Sequence, residues 1–205
     1  MHALIVLAHP DPQSLSHAVA ARIGEGIAHG ASAHSFQIAD LAAEGFDPRF
    51  TADDVAVHVR LAPPPADVLV EQARIDRADA LVLVYPVFWW SMPGLLKGWI
   101  DRVFTNGWAY RSDADTALVK RLRGRRVHLV GIGGADLRTY TRRGYLDAMK
   151  TQIDHGIFDY CGASVETSEL LLDSVNDAAS HLQTAHAIGL RLFDPSRRSK
   201  AGEAA

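Results

Sequence analysis

The chain has 205 residues, enough for one domain with a substantial core, and its 48% hydrophobic and 22% charged residues are ordinary globular values. A formal net charge of -3 argues against nucleic-acid binding, which draws on a basic excess, and the one cysteine, Cys161, excludes an internal disulfide and fits a reducing compartment. No apolar run approaches the length of a membrane span, so no membrane insertion is expected.

The opening MHALIVLAHPD is too short for a signal peptide and lacks its basic flank, so a cytoplasmic protein is expected. Ala3–Ala8 reads as a buried first strand. Ser14–His29 follows as a helix, with Leu15, Val19, Ile23 and Ile27 along one face. Ala33–Ile38 is more polar and reads as a strand at a sheet edge. Asp40–Pro65 has weak periodicity and predicts an irregular excursion with a short helix. Asp67–Arg77 is a helix after the turn Pro63-Pro64-Pro65, and Ala80–Tyr85 is a third strand. Leu95, Leu96, Trp99, Ile100, Val103 and Phe104 make the stripe of another helix. Gly98 inside it predicts close packing against another backbone, as an interface helix would give. Val127–Ile132 and Val165–Leu172 read as further strands, and Asn176–Leu192 as a last helix.

Strands alternating with helices imply a parallel sheet covered on both faces. Five strands suit an α/β, flavodoxin-like three-layer sandwich with a parallel sheet in the order 2-1-3-4-5. No linker divides the chain. A single domain is expected over residues 1–195, with a flexible tail over 196–205.

In such a sheet ligands bind beyond the carboxyl ends of the strands, where the strand order reverses. The loop after strand one, AHPDPQSLSHA, matches neither a G-x-G-x-x-G nor a Walker loop. It offers His9, Ser14, Ser16 and His17 before a helix, a setting that suits a phosphate, or simply an N-cap at Ser14. The loop after strand three, YPVFWWSMPG, places two tryptophans side by side, so at least one should leave the core. They would serve a planar ring by stacking, or a dimer contact. The loop after strand four, GIGGADLRTYTRRGY, allows close approach at Gly133 and Gly134. It also brings hydroxyl donors at Tyr140 and Tyr145 and cations at Arg142 and Arg143 that suit a nicotinamide cofactor's phosphate. A flexible glycine turn with a solvated basic helix start is the alternative there.

The ten histidines are scattered, and His181 and His186 miss the i, i+4 spacing of a helical ligand pair, so no metal site is expected. Cys161 reads as a small packed hydrophobe. No G-x-S-x-G elbow is present.

The segments ALIVLAHPDPQSLSHA, LVYPVFWWSMPGLLKGWIDRVF, GIGG and HGIFDYCG together resemble the NAD(P)H quinone oxidoreductases, the DT-diaphorase group. The pattern P-x-x-W-x-x-x-P-x-x-L-K-G-W-x-[DE]-R-V-F is complete. The flavin-bearing ancillary subunits of glutathione-gated potassium efflux systems share it. The resemblance implies a flavodoxin-like homodimer with a flavin near the interface, FAD by the first loop with FMN as the alternative. It implies NAD(P)H as co-substrate and two-electron, ping-pong reduction of quinones. By position, His9, Ser14, Leu15 and Ser16 would hold the flavin's phosphate or ribityl chain. Pro86, Val87, Phe88, Trp89 and Trp90 would line the isoalloxazine, and Gly133 and Gly134 would approach its pyrimidine edge. The family's relay tyrosine falls on Tyr140, with Tyr145 a rival. Its histidine falls at or near Arg143, which cannot act as an acid but can stabilise an anionic reduced flavin. Ser16 stands where the family often has Asn. A regulatory flavin- or nucleotide-binding subunit with a membrane-transporter partner, and an azo- or nitro-compound reductase, are the alternative functions.

Overall fold

The first apolar run forms β1 (His2–Leu7), fully buried from Ala3 onward. It lies inside the sheet, pairing in parallel with β2 (Ser35–Asp40) on one side and β3 (Ala80–Pro86) on the other. β3 pairs with β4 (Arg126–Ile132), which pairs with β5 (Ser164–Leu171), giving one five-stranded parallel sheet in the order 2-1-3-4-5. This computed structural model describes residues 1–112, 117–174 and 176–194. The expected flexible tail over 196–205 lies outside the described residues.

The pleat sends alternate side chains to opposite faces. Ala3, Ile5 and Leu7 of β1 join one core layer with Val19, Ile23 and Ile27 of α1 (Leu15–Gly30) and Ala185 and Ile188 of α7 (Ala178–Arg191). Leu4 and Val6 turn to the other layer, with Ile75 of α3 (Ala66–Arg77), Leu96, Trp99 and Val103 of α4 (Gly94–Val103), and Ile153 and Phe158. Each fully buried Val, Leu or Ile contributes about 1.5–3 kcal/mol, so the two faces together hold the helices to the sheet.

α1 and α7 cross at glycines. A Cβ on Gly189 would fall 2.1 Å from the Ile23 carbonyl oxygen, and one on Gly26 would fall 2.3 Å from that of His186.

The excursion after β2 contains α2 (Ala52–His58), closed by a capping box between Thr51 and Asp54. Arg102 of α4 holds it down, bonding Asp54 Oδ1 at 3.1 Å, Asp67 Oδ2 at 2.6 Å and the Asp47 carbonyl at 2.9 Å. The close packing expected at Gly98 is against this excursion: an added Cβ would meet the Pro48 carbonyl oxygen at 2.3 Å. The backbone that Gly98 admits is therefore the chain's own, and an interface need not be invoked for it.

Three features went unread in the sequence or were read there only as an alternative, the basic helix start after β4 being the latter. Tyr110–Arg111 and Val119–Lys120 form a short antiparallel ladder. α5 (Leu137–Arg143) follows β4. α6 (Tyr145–Met149) continues as a π-helix over Lys150–Asp159. Cys161, just beyond, is buried, and desolvation pushes its thiol up to about 11.

Candidate functional site

The carboxyl ends of β1, β3 and β4 open on the same edge of the sheet, and each leads into one of the three loops singled out by sequence. Ser14 is the N-cap of α1, its Oγ accepting from the His17 backbone N–H at 3.4 Å. The N–H groups of Leu15 and Ser16 occupy the first turn, where a helix has no internal acceptor to offer. Ser16 is 2% exposed, and its hydroxyl has no partner among the described residues. His9, at the end of β1, accepts the Asp11 N–H on Nδ1 at 3.0 Å. Ser14 Oγ also lies 2.8 Å from His17 Nδ1, and His17 Nε2 lies 2.9 Å from Asp40 Oδ2 at the end of β2. His17 was among the residues that the first loop offers to a phosphate, whereas Asp40 was assigned no role from sequence. Asp40 enters only because β2 runs beside β1 with Asp40 opposite Leu7.

Beyond Pro86 the Val87 N–H bonds the Ile132 carbonyl at 2.8 Å, which ties this loop to the end of β4. Phe88 and Ser91 bond one another through both backbone groups, closing a tight turn over Trp89 and Trp90. Both tryptophans sit in the left-handed region, at φ 50° and 60°. Such a conformation costs about 1–3 kcal/mol per residue and persists only where the surroundings impose it. The turn separates the two rings. Trp89 is 94% exposed, while Trp90 is half-buried and packs against Tyr140 and Tyr145. Ser91 Oγ donates to Gln152 Oε1 at 2.6 Å, so the π-helix anchors the turn; sequence gave no sign of this contact.

The third loop begins with the Gly133 N–H bonded to the Leu171 carbonyl at 3.0 Å. An added Cβ on Gly134 would meet nothing within 4 Å, so its backbone faces open space. On Gly133 a Cβ would lie 2.5 Å from the Tyr140 hydroxyl, which places that hydroxyl against the glycine pair. Asp136 caps α5 by accepting the Thr139 N–H at 2.9 Å, and this turns Tyr140 inward to 1% exposure. Burial pushes the Tyr140 phenol above its ordinary value, so it stays a hydrogen-bond donor at neutral pH. Arg143 is exposed at the last turn of α5, with no partner among the described residues.

Val87, Trp89, Trp90, Gly134, Ala135 and Tyr140 together line a hollow of about 140 Å³. Of the residues expected around a ring, this brings together Val87, both tryptophans and Gly134 with the relay candidate Tyr140, while Pro86, Phe88 and Gly133 are not in its lining. Tyr145 stands behind Trp90. His9, Ser14, Leu15 and Ser16 make a separate anion-ready corner at the end of β1. Arg143 is outside the hollow. A larger cavity of about 540 Å³ lies between Val57, Leu61, Pro64, Leu69 and Trp108. It sits at the C-terminal end of α4, away from the strand ends, and holds no acid, thiol or imidazole.

Aromatic walls, an open glycine backbone and free N–H groups beside serine hydroxyls suit a flat heteroaromatic ring with a phosphate-bearing tail. A flavin has that chemistry.

Residues 1–189 match a protein family described as having a flavodoxin-like fold. A protein of Haemophilus influenzae named an uncharacterized NAD(P)H oxidoreductase is 30% identical over 84% of this chain and 84% of its own length. Among solved structures, an NAD(P)H:quinone oxidoreductase from Methanothermobacter marburgensis superposes with a TM-score of 0.84 at 27% identity, covering 94% of this chain and 98% of that one. The general stress protein 14 of Treponema denticola, solved in complex with FMN, superposes with a TM-score of 0.64 at 25% identity, covering 95% of this chain and 98% of that one.

Proposed function

The chain belongs to the family of flavodoxin-like fold, and on that premise we propose that it is a flavin-dependent NAD(P)H oxidoreductase that reduces quinones by two electrons. The observation that carries this reading is the left-handed Trp89-Trp90 turn facing Gly134 and Tyr140 across the hollow. The names of the Haemophilus and Methanothermobacter relatives support NAD(P)H and a quinone as substrates, and the Treponema relative supports a flavin.

When bound, a flavin would supply the chemistry of hydride transfer between NAD(P)H and the acceptor. The chain supplies the rest. Ser14, Leu15 and Ser16, with His9 close by, would hold the phosphate at the positive end of α1. Val87 and Trp90 would help hold the ring, with Gly133 and Gly134 giving close backbone approach. Trp89, exposed beside the hollow, would help receive nicotinamide and quinone in turn, as ping-pong kinetics require. The Tyr140 hydroxyl would donate to negative charge developing on a bound flavin. Tyr145 fixes Trp90, and Arg143 contributes long-range positive charge. The cofactor is FAD by the character of the first loop, or FMN by the Treponema relative. A homodimer would bury the exposed Phe88 and Trp89. No helix of the described residues is long and apolar enough to cross a membrane.

The test is purification with its ligand. A yellow protein that releases FAD or FMN and oxidises NAD(P)H with a benzoquinone, giving parallel double-reciprocal plots, is expected. Colourless protein that remains inactive with added FAD and FMN would overturn the reading, and an acceptor screen separates quinones from azo and nitro compounds.

A further inference from the structure

Ser14, His17 and Asp40 form a hydrogen-bonded line where α1 begins beside the end of β2, with spacings of 2.8 Å and 2.9 Å. Asp40 is committed as an acceptor on both oxygens, since Oδ1 also receives the Ala42 and Ala43 N–H groups at 3.2 Å each. A carboxylate has no hydrogen to give, so the hydrogen between Asp40 and His17 sits on His17 Nε2. In the neutral imidazole that leaves Nδ1 as a bare acceptor. Ser14 must then turn its only hydroxyl hydrogen inward to Nδ1, and its Oγ presents lone pairs alone to an arriving anion.

A second proton on the ring reverses this bond. Nδ1–H now donates to Ser14 Oγ, which already accepts the His17 backbone N–H. The hydroxyl hydrogen is released outward, free to donate to a phosphate oxygen. The imidazolium, held by Asp40, also brings a positive charge to the same corner. One proton from solvent bound at Nδ1 is the whole chemical change.

We infer that His17, oriented by Asp40, is a positioning residue that couples capture of a phosphate group by Ser14 to the uptake of one proton. This rests on the flavin reading, which supplies the phosphate. The sign follows from linkage: the protonated ring favours the bound state, so affinity for the doubly charged phosphate falls as pH rises. The other titratable groups of the corner are His9, whose ring stands edge-on to His17 at 6.3 Å, and Asp11 in the same loop.

The experiment compares FMN with riboflavin, which lacks the phosphate, on the full chain stripped of flavin. Binding is read by flavin fluorescence between pH 7 and 9, above the second ionisation of a phosphate monoester near pH 6. FMN affinity is expected to weaken by up to about tenfold per pH unit, while riboflavin affinity stays level. His17→Gln should level the FMN profile. Calorimetry of the unmutated protein in two buffers of different ionisation heat should find close to one proton taken up per FMN and none per riboflavin, whether or not the variant folds. A flat FMN profile, an equal slope for riboflavin, or a slope that survives in His17→Gln overturns the inference and leaves the flavin reading standing. Failure of FMN, FAD and riboflavin all to bind overturns both.

Discussion

Trp90 and Tyr145 lie face to face, with ring centroids 3.8 Å apart and planes 13° from parallel. Trp90 holds a left-handed backbone that a bulky residue adopts only under constraint, and the stack supplies part of that constraint. An aromatic pair of this kind is worth about 0.5–1.5 kcal/mol beyond its buried area. Tyr145→Leu should therefore weaken flavin binding by about twofold to tenfold and alter Trp fluorescence, whereas Tyr145→Phe, which keeps the ring, should do neither. Equal loss in both variants would mean that the hydroxyl, not the stack, matters.

The Tyr140 hydroxyl rests against Gly133, and burial keeps it protonated through neutral pH. A donor aimed at developing negative charge is worth about 1.5–3 kcal/mol. Tyr140→Phe is expected to lower kcat by roughly tenfold to a hundredfold with flavin content unchanged. Gly133→Ala, which pushes a methyl group onto the same hydroxyl, should copy that loss. Unchanged turnover in Tyr140→Phe would remove the hydroxyl from the mechanism.

Strands β1, β3 and β4 were legible because each is a continuous apolar run buried on both faces, which few other structures demand of a sequence. β2 was displaced in the reading: its apolar and polar residues mix at the sheet edge, and pairing with β1 sets its span as Ser35–Asp40. The helix from Tyr145 to Asp159 escaped notice for a different reason. Its inward residues Met149, Ile153 and Phe158 advance by four and then five positions, which suits the wider π turn and not a 3.6-residue period. In the site, Trp89 and Trp90 stood out because adjacent large aromatics in a loop are hard to bury together. Asp40 and Gln152 did not, because a carboxylate and an amide become partners of His17 and Ser91 only through long-range packing.

The crossing of α1 and α7 depends on the absence of side chains at Gly26 and Gly189. Alanine has the higher helix propensity, so in an isolated helix either substitution would stabilise by about 1 kcal/mol. Here the added methyl meets backbone, which cannot swing aside, and the helices must separate. Gly189→Ala is expected to destabilise by about 1–3 kcal/mol, read as a lower urea midpoint with flavin affinity little changed. A neutral or stabilising result would show that the crossing relaxes without loss.

Arg102 joins α4 to the excursion, and its side chain is 7% exposed while that of Asp54 is 2% exposed. Burial raises the Asp54 carboxyl, but the Thr51 N–H and hydroxyl and the Arg102 guanidinium outweigh it and hold the group below its ordinary range. An acid depressed in the folded state contributes stability above its unfolded value and loses it as pH falls through the folded one. The native protein should thus lose stability on acidification below about pH 4, the ordinary range of aspartate. Arg102→Met removes the cation and leaves Asp54 buried and under-compensated, at a cost of about 3–5 kcal/mol. For a chain of this size that lowers Tm by roughly 6–20 °C. The Asp54 contribution to the acid limb should shrink at the same time, so the gap between variant and native protein narrows as pH drops. Thermal melts at pH 7 and pH 3.5 check both parts. A gap that stays constant with pH would show that Arg102 acts through packing of its stem and not through the charge on Asp54.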